Sequence, residues 1–472
     1  MCRFLLAALN IDAILGEVTI RQRKRKLAEM EQGNGLSDAY MATISRVKAQ
    51  KGNKSALGMK VLAWVFYSKG ALRAEGLCHA FGVEIGSAEL DPENIPALRT
   101  LLASCLGLVT LDPSSSTVRV VHSTLYLYLF SNPTLFHSPH STIAEVCLTY
   151  LNFGSVWDLS PTLDSAPSSF PLLEYSSLYW AEHAREGMTE NVKMLALKLL
   201  DRFDEHISSR LLSLDYNKSS PTGPYFVEAR IPTGFTLLHG VAYLGIVEIF
   251  AGVLGMKEWD VNATDSAGST ALTWAASKGY EDIVKILLER DDVNLDHAEN
   301  QCGRTPLSWA AENGHEGIVK MLLERENVNP DHPDTKFGRT PLMLAARNGH
   351  EEVVKMLLRR EDVTCDLVDT FYGQTPLSGA AENGHEGVVK MLLKLKDVNP
   401  ALPDTKYGLT PLAWAAQNGH AGVVGILVER PDVIIDTLDK TNQTPLSLAS
   451  SEGHDEVVKI LQDKSHAARG GL

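Results

Sequence analysis

The stretch Gly303-Arg-Thr-Pro-Leu-Ser-Trp-Ala-Ala-Glu-Asn-Gly-His315 decides the reading of this chain, because it is written repeatedly. A near copy is Gly338-Arg-Thr-Pro-Leu-Met-Leu-Ala-Ala-Arg-Asn-Gly-His350. The phrase returns at 373–385 and 408–420, more loosely at 268–280 and 442–454, and in a degenerate first copy at 234–239. Its threonines, Thr236, Thr270, Thr305, Thr340, Thr375, Thr410 and Thr444, stand 34 or 35 residues apart. A fixed period of this length marks a stacked array of repeats.

The residue types explain the period. Thr305 sits where a helix should start, and Pro306 follows at the first helical position, where a missing N–H costs nothing. Leu307, Ala310 and Ala311 share one side of that short helix. Gly314 should end it in the left-handed conformation. A second helix is expected over 316–323, with Ile318, Val319, Leu322 and Leu323 apolar. Helices this short gain stability only when neighbouring copies cover them. The array ends fit: the last copy carries Ser447, Ser450 and Ser451, and the first has a greasy second helix (Ile246, Val247, Ile249, Phe250, Val253, Leu254) expected to pack on the preceding domain. One column reads Trp274, Trp309, Leu344, Gly379, Trp414, Leu448. Gly379 interrupts it, so a soft point is expected there, relieved by Gly379→Leu.

The repeated phrase resembles the ankyrin repeat, and five of the seven copies carry Thr-Pro-Leu intact. The resemblance implies a mainly α solenoid over 233–464, with a tail at 465–472. It also implies protein binding through a concave surface lined by fingertips and first helices. The fingertip candidates are Gln301, Cys302, Lys336, Phe337, Phe371, Tyr372, Lys406 and Tyr407. The first-helix candidates are Glu312, Asn313, Arg347, Asn348, Glu382, Asn383, Gln417 and Asn418. Aromatic tips among amides and charges suit an interface, and Phe371 is the leading candidate for a contact.

Upstream, residues 55–132 read as helix, helix, helix, hairpin. Leu57, Val61, Leu62, Trp64 and Val65 recur at helical spacing, further helices are expected at 74–81 and 95–105, and strands flank Pro113-Ser-Ser-Ser116. The runs Gly58-Met-Lys-Val-Leu-Ala-Trp-Val-Phe-Tyr-Ser-Lys69, Leu90-Asp-Pro-Glu-Asn94, Cys105-Leu-Gly-Leu-Val-Thr110 and Val120-Val-His-Ser-Thr124 resemble the winged-helix domain of fungal STAND (NLR-like) proteins. By that resemblance 1–54 is the end of a NACHT nucleotide-binding module. The region 133–216, with its stretch 171–185, is a helical arm, and 217–232 is a linker. A long amphipathic stripe, Val192 to Leu211, is expected within the arm.

The family's switch needs a G-x-x-x-x-G-K-[ST] phosphate loop. Gly52-Asn-Lys-Ser55 only approaches it, so neither nucleotide nor any other cofactor is expected. No nucleophile elbow, zinc-protease helix or kinase signature appears, and an enzyme is not expected. The column His315, His350, His385, His420, His454 places its imidazoles roughly 10 Å apart, too far to share a zinc ion with ligands at about 2 Å. It is expected to hydrogen-bond structurally.

The net charge is −14, with ten Lys and Arg against five Asp and Glu in residues 1–54. An acidic body disfavours nucleic acid and anionic membrane, and the third helix offers only Arg99 as a cation. The six cysteines form no C-x-x-C pair, which suits a reducing compartment. No apolar run approaches about 18 residues, so no membrane helix is expected. A cytoplasmic protein is expected, with Arg21-Gln-Arg-Lys-Arg-Lys26 as a candidate nuclear address. The reading is an adaptor or sensing arm that recognises a protein. Two alternatives stay open: the C-terminal part of a complete nucleotide-dependent STAND receptor, and a DNA-associated regulator using the winged helix.

Overall fold

The computed structural model describes residues 19–22, 24–25, 36–212, 234–256 and 259–470. The linker expected at 217–232 lies outside them, as does most of the stretch 1–54 expected as a NACHT remnant. The chain divides into two compact units, up to Pro232 and from Thr233. No helix among the described residues is long and apolar enough to cross a membrane.

In the first unit the helix Leu36–Lys48 precedes Lys54–Tyr67, which buries Val61, Leu62, Trp64, Val65 and Phe66. Helices Ala74–Gly82 and Leu98–Ser104 follow. The third helix begins three residues later than expected, because Pro96 holds Ile95 extended and Ala97 stays extended as its N-cap. The strands Val109–Asp112 and Thr117–Val120 pair antiparallel, Val109 opposite Val120 and Asp112 opposite Thr117. Arg73 bridges Thr117, extending the pairing by one residue beyond the hairpin.

The remainder is helical, including Ser123–Phe130, Pro139–Leu151, Leu173–Glu186 and Glu190–Leu200. Its core closes on Trp180, Tyr150, Phe153 and Phe203. The expected stripe from Val192 to Leu211 is not one helix. The chain turns after Leu200, so that buried Phe203 and His206 enter the core, with His206 Nε2 donating to the Leu151 carbonyl (3.0 Å). Burial pushes the His206 ring down to about 4. Of the basic run at 21–26, Arg21, Lys24 and Arg25 are helical and exposed.

The second unit is the repeat array. In the third copy Thr305 Oγ1 accepts the Ser308 N–H (3.2 Å), Pro306 opens the helix Pro306–Asn313, and Gly314 closes it at φ +72°. The second helix, Glu316–Leu323, buries Ile318, Val319 and Leu322. The same cap recurs at Thr340, Thr375, Thr410 and Thr444. First helices pack on neighbouring first helices, and second helices on second helices. Thin alanine pairs such as Ala310 and Ala311, fully buried, allow that approach. The last helix, Asp455–Gly470, continues six residues past 464.

At Gly379 the neighbouring Arg347 side chain lies close to the missing side chain's place. The atoms nearest to a Cβ there belong to Arg347, at 3.6–3.9 Å, so the aliphatic part of Arg347 lies against the place that Leu344 and Trp414 fill elsewhere. A leucine would compete with Arg347, whereas an alanine fits. We expect Gly379→Ala to stabilise the array by about 1 kcal/mol, through helix propensity. A lowered thermal midpoint would show that this helix needs the glycine.

Candidate functional site

The fingertips are built on buried acids. Asp369 accepts N–H groups from Phe371 (3.2 Å), Tyr372 (2.7 Å), Gly373 (2.8 Å) and Gln374 (3.4 Å) on one carboxylate oxygen. Asp404 does the same for Lys406 and Tyr407, taking the Leu409 N–H on its other oxygen, and Asp334 does so for Phe337 and Arg339. The second oxygen of each acid receives a side chain: Arg304 on Asp334 and Arg339 on Asp369, both at 3.5 Å, and Trp414 Nε1 on Asp404 at 3.1 Å. Asp265, Glu299 and Asp439 hold the corresponding places. Sequence reasoning missed this column. Its signal was present, an acid recurring four residues before Gly303, Gly338, Gly373 and Gly408.

On those tips the structure brings six predicted residues together. Phe337 meets Phe371 edge-on (5.5 Å between centroids), Phe371 meets Tyr372 (4.6 Å), and Tyr372 meets Tyr407 (5.8 Å). Trp414 closes the row against Tyr407 (6.0 Å). Lys406 Nζ lies over three of the rings, and Lys336 lies over Phe337 (5.2 Å). The row is not shut away: Phe371 is 47% exposed and Tyr407 42%. Gln301 is exposed, but Cys302 is buried, which pushes its thiol up.

The first-helix candidates are mostly committed within the chain. Asn313, Asn348, Asn383 and Asn418 each turn the side-chain amide back to a carbonyl four residues earlier, all at 2.9 Å. They close helix ends. Glu312 pairs with Arg304 in a nearly buried site. Burial pushes the Glu312 carboxyl up, and the Arg304 charge draws it back. Arg347 grips Glu382 with both terminal nitrogens (2.7 and 3.1 Å) and also donates to Gln374. That pair is partly open to solvent, with side chains 25% and 20% exposed. The Gln417 side-chain oxygen is buried without a hydrogen-bond partner among the described residues.

The histidines bridge the repeats one by one. Nε2 of His315, His350, His385, His420 and His454 donates to the carbonyls of Ser277, Glu312, Arg347, Glu382 and Gln417, at 2.8–3.1 Å. Burial holds the His315 and His385 rings below the usual imidazole range. Among the described residues no group of His, Cys, Asp or Glu is arranged to hold a metal.

This architecture has known counterparts. The family described as "Ankyrin repeats (3 copies)" matches residues 237–334, 326–404 and 396–469. No curated protein matches the chain. Among solved structures, the human ASB11 ankyrin repeat domain is similar at 23% identity. That alignment covers 48% of this chain and 96% of that one, with a TM-score of 0.41. Residues 237–469 of this chain are ankyrin repeats, a scaffold for binding other proteins.

Proposed function

We propose that the chain recognises another protein through the concave side of its repeats, centred on the fingertips of the fourth to sixth copies. It would serve as an adaptor, or as the sensing arm of a protein related to the fungal STAND receptors. The observation that carries the surface is the half-exposed row Phe371 and Tyr407, held in register by buried Asp369 and Asp404. Rigid aromatic side chains on preorganised loops lose little entropy on binding and tend to dominate interface energies. Arg347 and Glu382 supply a partly exposed ionic pair nearby in sequence order, on the first helices of the fourth and fifth copies. The STAND relation is supported by the helix, helix, helix, hairpin order of the first unit, with the Arg73 bridge beside the hairpin.

The test is retention of interacting proteins on the immobilised chain. Phe371→Ala with Tyr372→Ala should weaken each by at least about 2 kcal/mol, roughly thirtyfold in Kd. Unchanged retention by the folded double variant sinks the surface assignment.

A further inference from the structure

The Lys406 ammonium occupies an unusual place. It lies 4.2 Å from the ring centre of Phe371, 4.5 Å from that of Tyr372 and 5.4 Å from that of Tyr407. Among the described residues no carboxylate forms an ion pair with it. The Lys406 backbone is fixed, its N–H shared between the Tyr372 carbonyl (3.0 Å) and Asp404 (2.9 Å). The cation therefore hangs on a flexible four-carbon tether over three rings whose backbone is held by the Asp369 and Asp404 turns. Ring faces carry negative quadrupole charge, and several converging on one ammonium make a receptor for weakly hydrated cations.

The charge of the surrounding solenoid points the same way. Residues 233–472 hold 35 Asp and Glu against 22 Lys and Arg. Their field draws cations toward the array.

We propose that Phe371, Tyr372 and Tyr407 form an aromatic cage for a methylated lysine of a partner protein, with Lys406 as its resident stopper. The inference rests on the fingertip surface proposed above. Methylation favours entry because a bare ammonium must shed strongly held water and finds ring faces rather than carboxylates. Lys406 loses little on leaving, since a cation–π contact at an exposed site is weak and its ammonium regains hydration. The stopper keeps the rings covered until a better-fitting cation arrives.

The experiment titrates the full chain with a peptide bearing one trimethyllysine and with the same peptide bearing leucine there, read by Trp fluorescence and calorimetry. The trimethyllysine peptide should bind measurably more tightly than the leucine peptide. Lys406→Ser, which removes the competitor, should tighten it by about two- to fivefold, the equivalent of an exposed cation–π contact. Phe371→Leu and Tyr407→Leu keep apolar volume but lose the ring face, and each should weaken binding by a similar factor. Circular dichroism verifies that each variant is folded. Equal binding of the two peptides, or no tightening in Lys406→Ser, overturns the cage. The wider surface falls only if partners stay on the Phe371→Ala, Tyr372→Ala chain, so the two failures are distinguishable.

Discussion

Asp369→Ala is expected to destabilise the repeat array by about 3–5 kcal/mol, the range for removing one partner from a buried charge network. Asp369 is 2% exposed, and four backbone N–H groups converge on its carboxylate. Alanine removes the shared acceptor of all four, although the Gly373 N–H keeps the backbone carbonyl of residue 369 (3.1 Å), and an unmet buried donor costs about 1–3 kcal/mol. The Arg339 guanidinium loses its partner as well, while burial and the neighbouring Arg347 charge already hold its pKa below the usual range. The turn that presents Phe371 and Tyr372 then keeps only its backbone bonds, such as the residue-369 N–H to the Gln374 carbonyl (2.9 Å), so partner binding should fall with stability. Asp369→Asn retains an acceptor oxygen of the same reach and should lose about half as much. Urea unfolding followed by circular dichroism reads both. A cost below about 1 kcal/mol for the alanine variant would mean that the fingertip is held by its neighbours, not by its acid.

The contrast between Asp369 and Phe371 explains what was legible in the sequence. A residue that recurs in phase through every copy meets the same neighbours in every copy. The threonine caps, the glycine stops and the histidine bridges could therefore be read from their spacing alone. The asparagines recur just as faithfully, and for the same reason: each closes its own helix. Regularity of this kind is explained within the chain and does not by itself point to recognition. Positions that differ between copies, such as Lys336 and Phe337 against Phe371 and Tyr372, meet different neighbours in each copy, and some of them, Phe371 above all, are left partly in solvent. The acid column was readable in principle, but Glu299 among the aspartates and the uneven offset at Asp265 blurred it.

Non-periodic parts were harder. In the first unit the order of helices and hairpin followed from apolar spacing, yet the break between Leu200 and His206 did not. Apolar spacing records which residues are buried, and a turn that carries Phe203 into the core preserves the same pattern. The Gly379 reading is modified for a related reason. A missing side chain suggests a void only until a long neighbour, here Arg347, is seen lying across it.

Gly314→Ala is expected to cost about 2–4 kcal/mol, and its comparison with Gly453→Ala isolates how one repeat grips the next. Both glycines end a first helix in the left-handed region, at φ +72° and +78°. An alanine in that conformation costs about 1–2 kcal/mol at either place. The surroundings differ. A Cβ on Gly453 meets nothing within 4 Å, while one on Gly314 would stand 2.6 Å from Nδ1 of His350. His350 cannot move away freely, because its Nε2 holds the Glu312 carbonyl at 2.8 Å. The extra cost at Gly314 is thus the displaced imidazole and its lost hydrogen bond, about 0.5–1.5 kcal/mol for the bond alone. The double variant Gly314→Ala, His350→Ala decides the cause. If the imidazole is the obstacle, removing it offsets much of the clash, and the two substitutions together cost less than the sum of each alone. Strict additivity would place the whole penalty in the backbone of one repeat. Coupling would place it in the joint between the third and fourth repeats. Weakening that joint should also broaden the unfolding transition, since an array of this kind is cooperative only through its nearest-neighbour contacts.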